Sequence, residues 1–172
     1  MSNDEDMVNG IPQMAFINAQ IIQSAVKNSA FMSCVDQVSR QYNIPRFPVI
    51  NPAYVASLLY CLVVVPKEIW DLPYNHTIYK QIERRGILSL FTIELSDLKF
   101  SEHPTFYLLK HIRNAVSHVN FAFDQTQSML FSFWDMPIGK TEPNFRASIP
   151  ISGLQTFLSE VGTLLANLRT SN

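Results

Sequence analysis

Hydrophobic positions along the chain change period twice, and those changes mark out the expected elements. Residues 13–42 contain no Pro or Gly. Ile17, Ile21 and Ala25 recur at fours, and Phe31, Cys34, Val35 and Val38 continue at helical spacing. The pattern predicts one long amphipathic helix. Three prolines in "NIPRFPVINP" end it. Pro52 is suited to the first turn of a helix over Ala53–Val65, an apolar run of thirteen residues too short to span a bilayer. Residues 75–90 predict another helix with Ile78, Ile82 and Leu90 inward, weakened by Gly86. "FTIELSDLKFSEHP" reads as either a helix end or a loop, and Pro104 opens the next helix.

Beyond residue 120 the period falls to two. Phe121 and Phe123, a polar turn, then Met129, Phe131 and Phe133 predict a hairpin. After the loop "MPIGKTEPN", Phe145, Ala147, Ile149 and Ile151 alternate again. Leu154, Phe157, Leu158, Val161, Leu164, Leu165 and Leu168 predict a closing amphipathic helix. The expected fold class is mainly α: a helical body, a small three-stranded antiparallel addition and a C-terminal helix.

The helix opened by Pro104 carries the candidate chemistry. At about 100° per residue, Leu108, Leu109, Ile112, Ala115, Val116 and Val119 form an apolar stripe. Lys110, Arg113, Asn114 and Ser117 fall opposite, with His118 at their edge. His111 lies near His118 but closer to the apolar stripe. This polar face carries donors and no carboxylate, whereas a solvated face usually mixes Glu with Lys. The missing counter-anion is expected to come from elsewhere. The plain alternative is a solvated polar face.

Composition narrows the setting. With 172 residues, 47% hydrophobic and 12% aromatic, the chain has the makings of one domain with a sizeable core, expected over residues 13–172 behind a flexible, acidic tail at 1–12. That tail lacks the basic start and apolar run of a signal peptide. Cys34 and Cys61 lie far apart and read as reduced core residues of a cytoplasmic protein. A net charge of −1 argues neither for nor against nucleic acid. His76, His103, His111 and His118 lack partners at metal-ligand spacing, so no metal and no cofactor is expected. His103 is placed to flank the helix start at Pro104. Lys80, Arg84 and Arg85 form a small basic run, a secondary candidate for RNA contact. Trp70, Trp134, Tyr74 and Phe133 read as core.

"IRNAVSH", Ile112–His118, resembles the signature of the HEPN superfamily: Arg, then a polar residue that is usually Asn, then His four to six positions after the Arg. The resemblance best covers the helical body of about 110 residues that ends with this motif, a size natural for one bundle. It implies an up-and-down helical bundle, commonly dimeric. Many such domains are metal-independent endoribonucleases of toxin–antitoxin, abortive-infection or CRISPR-linked systems. Others only bind nucleotides, RNA or proteins. Carried onto this chain, it implies Arg113, Asn114 and His118 as catalytic residues. Lys110, Ser117 and His111 are weaker candidates for RNA contact. His118 suits general acid–base work and Arg113 suits charge building on a phosphate. Asn114 is placed to orient His118 or the phosphate. Because one motif supplies one well-placed histidine, a homodimer with a composite site is expected. Other expected partners are an RNA substrate and an antitoxin or other protein, with no membrane. A third possibility is an unrelated α+β interaction protein whose polar face is accidental.

Overall fold

A computed structural model describes residues 10–44, 46–66, 73–124 and 130–169, the last five as backbone only. Trp70, Met129, residues 1–9 of the expected tail and the side chains of Leu165 and Leu168 lie outside the described residues.

The expected long N-terminal helix is two helices, α1 (Ile11–Ala25) and α2 (Ser29–Gln41). Asn28 divides them. Its backbone is extended and its side-chain oxygen accepts from the N–H groups of Ala30 at 2.9 Å and Phe31 at 3.2 Å. Those donors would otherwise lack partners at a helix start, so the cap outweighs continuing the helix. The inward face of α1 also differs from the expected one. Ala19 is buried and Ala15 and Phe16 pack on the core, while Ile17 and Ile21 are exposed at 49% and 58%. Phe16 sets that phase, because it lies where a side chain on Gly162 of the closing helix would be. In α2, Cys34 and Val38 are exposed rather than inward; with Tyr42, Ile44 and Phe47 they line an apolar groove.

Asn51 caps α3 (Pro52–Leu59), which continues through one π-helical turn, Tyr60–Val64. Val55, Leu58, Leu59, Leu62, Val63 and Val64 are core, whereas Tyr60 is half exposed. No helix among the described residues is long and apolar enough to cross a membrane. In α4 (Thr77–Arg84), Ile78, Tyr79 and Ile82 are buried. Gly86, at φ +68°, then ends the helix expected to reach residue 90; a 3₁₀ turn, Ile87–Leu90, follows. The ambiguous stretch resolves into β1 (Thr92–Leu95) and a short α5 (Leu98–Glu102) capped by Asp97.

The motif helix is α6 (Pro104–Ser117). Beyond it come β2 (Phe121–Asp124), β3 (Leu130–Asp135), β4 (Phe145–Pro150) and α7 (Ile151–Arg169). Among the described residues the sheet has four antiparallel strands in the order β1-β4-β3-β2: the three that follow the motif helix, and β1 from before it. β1 precedes the motif helix and pairs with β4, Thr92 opposite Ser148 and Ile93 opposite Ala147. One sheet face is core: Phe131, Phe133, Phe145, Ala147 and Ile149 are each 0% exposed. Of the other aromatics expected inside, Trp134 is partly buried and Tyr74 is 53% exposed, stacked on His103. α7 packs against α1, α4 and the sheet, and α6 packs between the π turn and β3. The fold is mainly helical with a small antiparallel sheet, and the sheet stands behind the motif helix.

Candidate active site

The apolar register of α6 seats it as expected. Leu108, Ile112, Ala115 and Val116 are buried. Val119 departs from the expected stripe: α6 ends at Ser117, His118 caps it, and Val119 is 72% exposed at φ +58°. Asn120 N–H reaches Ala115 O at 2.7 Å and Val119 N–H reaches Val116 O at 3.3 Å. These two bonds are a Schellman cap, whose left-handed position ordinarily holds glycine. A β-branched valine there is strained, directly beside His118.

The opposite side of α6 forms one wall of an open cleft of about 1060 Å³. Lys110, Arg113, Asn114 and His118 line it, joined by Lys99 of α5, Tyr107, and Met136 to Ile138 of the β3–β4 loop. His118 is exposed, and Arg113 and Asn114 are partly buried. Ser117 is exposed on the last turn and does not line this cleft. Lys80, Arg84 and Arg85 of the small basic run lie on and just after α4 and do not line it either.

The helix face itself bears no carboxylate; a counter-anion reaches it from elsewhere in the chain, as Asp135 at the end of β3. Its Oδ2 accepts from Asn114 Nδ2 at 2.7 Å and lies 2.7 Å from His111 Nδ1. Asp135 is 6% exposed and His111 3%. Burial pushes the Asp135 carboxyl up, but hydrogen bonds from His111 and Asn114, with the charges of His111 and Lys110, outweigh it. They hold Asp135 below the ordinary carboxylate range. An ionised Asp135 only accepts, so His111 carries its proton on Nδ1 and the Asn114 amide turns its nitrogen to β3. The Asn114 amide thus bonds to Asp135, where His118 or the phosphate had been expected.

His111 forms part of the wall beneath the cleft. Its ring lies flat on Phe145, centroids 4.3 Å apart at 7°, and its Nε2 is buried without a hydrogen-bond partner among the described residues. His118 is therefore the solvent-facing imidazole of the motif. The sequence does carry a signal for Asp135. This residue shares the inward phase of Phe131 and Phe133, where an acid is out of place unless it is paired.

Elsewhere, His76 Nδ1 accepts from Ile78 N–H at 3.3 Å and so caps α4, and burial pushes the Cys61 thiol up. Among the described residues, no group of three or more His, Cys, Asp or Glu side chains could hold a metal ion.

The cleft brings together three cationic side chains, Arg113, Lys110 and Lys99, two carboxylates, Asp97 and Asp135, and the exposed imidazole of His118. No curated protein and no solved structure matches the chain. The family described as HEPN pEK499 p136 matches residues 1–172, from end to end. The chain belongs to this HEPN family.

Proposed function

We propose that the protein is an endoribonuclease that cleaves RNA without a metal ion, by attack of a ribose 2′-OH on the adjacent phosphorus. The observation carrying this reading is that Arg113 and His118 line one open cleft in a chain of the HEPN family. In that attack the 2′-oxygen forms a bond to phosphorus, its proton passes to a base, and the bond to the 5′-oxygen breaks as an acid protonates it. The products are a 2′,3′-cyclic phosphate and a 5′-hydroxyl. His118 acts as base or acid, and Arg113 holds the charge building on the phosphate. Lys110 adds a second cation. Asn114, clamped by Asp135, fixes the motif helix against the sheet.

We read α1, α3, α4, α6 and α7 as the up-and-down bundle of this family and residues 13–172 as one domain. A homodimer belongs to the same proposal. The reaction needs a base and an acid, and the buried Nε2 of His111 cannot reach a substrate as the chain stands. A second copy supplies the missing imidazole as another His118. Leu98, Val119 and Ile138, 89%, 72% and 99% exposed, offer apolar surface around the motif for such a contact. A toxin or defence setting, with an antitoxin as partner and the cytoplasm as location, is the context this reading suggests.

The test is to incubate pure protein with end-labelled RNA in excess EDTA. Cleavage leaving 2′,3′-cyclic phosphate ends is expected. Activity abolished by chelation and restored by magnesium contradicts the mechanism. A mixed dimer of wild-type and His118→Ala subunits is expected to be nearly inactive; half or more of wild-type activity contradicts the shared site.

A second reading, a HEPN module that binds a nucleotide, RNA or protein partner without catalysis, draws on the same exposed apolar residues. It predicts binding at the cleft with no cleavage.

A further inference from the structure

We infer that Tyr107 and Lys110 form a nucleobase-stacking subsite beside the phosphate site, resting on the reading of the cleft as an RNA site. Tyr107 lines the cleft, outside the Arg-Asn-x-x-x-His motif. On α6 it lies seven positions before Asn114 and eleven before His118, so the three fall on one stripe of the helix. Its six-residue separation from Arg113 is about 9 Å along the axis, with Arg113 turned about 120° around it. A stacked strand rising about 3.4 Å per nucleotide covers that in two to three nucleotides. The platform therefore receives a base flanking the scissile phosphate, not the one attached to it.

The ring is held before any ligand arrives. It meets Phe106 edge-on at 5.1 Å and 90°, and His111 lies 6.2 Å away at 35°. His111 is itself fixed by Asp135 at 2.7 Å and by Phe145. The buried His111–Asp135 pair, for which the cleavage chemistry has no direct use, thus braces the platform. The Lys110 ammonium stands 5.4 Å from the Tyr107 centroid, at cation–π range. Lys110 thus stands over one face of the ring, and an aromatic ring paired with a cation is the combination by which single-stranded nucleic acid is gripped without hydrogen-bond readout of sequence. The expected ligand is unpaired RNA, with any base on the platform.

The experiment uses full-length protein and a short single-stranded 2′-fluoro RNA, which lacks the attacking hydroxyl. Its affinity is measured with every base present and with single abasic positions. Tyr107→Ala is expected to weaken binding roughly five- to 150-fold, the range that stacking one base spans, and Tyr107→Phe to restore it. One abasic position is expected to weaken binding to wild-type protein comparably and to make no further difference in Tyr107→Ala. Equal affinity for every abasic variant on unaltered protein overturns the platform while leaving the cleavage reading standing. Failure of wild-type protein to bind any single-stranded RNA overturns both.

Discussion

Asp135, at the end of β3, accepts a 2.7 Å hydrogen bond from Asn114, the residue that follows Arg113 on α6. The same carboxylate lies 2.7 Å from Nδ1 of His111, one turn earlier. A sheet added after the motif helix thus reaches back and fixes the helix face that carries the motif.

That clamp makes Asp135→Ala costly. Removing the carboxylate leaves the buried His111 Nδ1–H without its acceptor and frees Asn114. The expected loss is on the order of 3 kcal/mol. Asp135→Asn, which keeps one acceptor oxygen, loses less. Urea unfolding of the three proteins measures the order, and an Asp135→Ala midpoint equal to wild type contradicts it.

The lowered carboxyl of Asp135 fixes a sign for pH. A carboxyl whose native pKa lies below its unfolded value, about 3.9, stabilises the fold above that value and loses the contribution as pH falls through the native one. The stability gap between wild type and Asp135→Asn is expected to be full near neutrality and to shrink below about pH 4. Paired unfolding curves from pH 7 downward check this; a gap that widens on acidification contradicts it.

Val119 occupies a left-handed position at φ +58° and is 72% exposed, so it contributes strain and little burial. Val119→Gly is expected to stabilise the fold by about 1 kcal/mol. For a chain of this size that raises the melting temperature by about 2–4 °C. A lower melting temperature for Val119→Gly contradicts the strain.

Gly162 marks where α7 meets α1. A Cβ there falls on the ring of Phe16. Gly162→Ala is expected to destabilise by about 1–3 kcal/mol. A smaller side chain in Phe16→Leu is expected to recover part of that loss in the double variant. Additive losses in a double-mutant cycle contradict the contact.

What was legible in the sequence was mostly local. The stripe Leu108, Ile112, Ala115 and Val116 gave α6 its orientation from spacing alone, and with it the exposed placement of His118. The alternation of Phe131 and Phe133 gave β3. The errors were of two kinds. Asn28 breaks the N-terminal helix through a capping bond that a hydrophobic count does not weigh, and the phase of α1 is decided by Phe16 meeting Gly162, far along the chain. β1 needed β4 as a partner, and Asp135 needed His111 and Asn114, so neither showed in its own neighbourhood. Tyr107 carries no signal of its own in the sequence, because its value depends on a cleft that only the folded chain has.

Arg113 and His118 line the cleft with no part in the buried stripe, whereas Ile112, between them in the motif, is 0% exposed. Ile112→Ala is therefore expected to cost roughly 2–5 kcal/mol of stability, and Arg113→Ala and His118→Ala little. The direct measurement of the central claim is the cleavage rate of one labelled RNA in EDTA by wild type, Arg113→Ala and His118→Ala, each shown to be folded by its melting curve. The account predicts cleavage by wild type and at least about a hundredfold loss in both variants, on the order of a removed acid–base group for His118 and of a removed charge-stabilising group for Arg113. A His118→Ala protein that cleaves at the wild-type rate would contradict it.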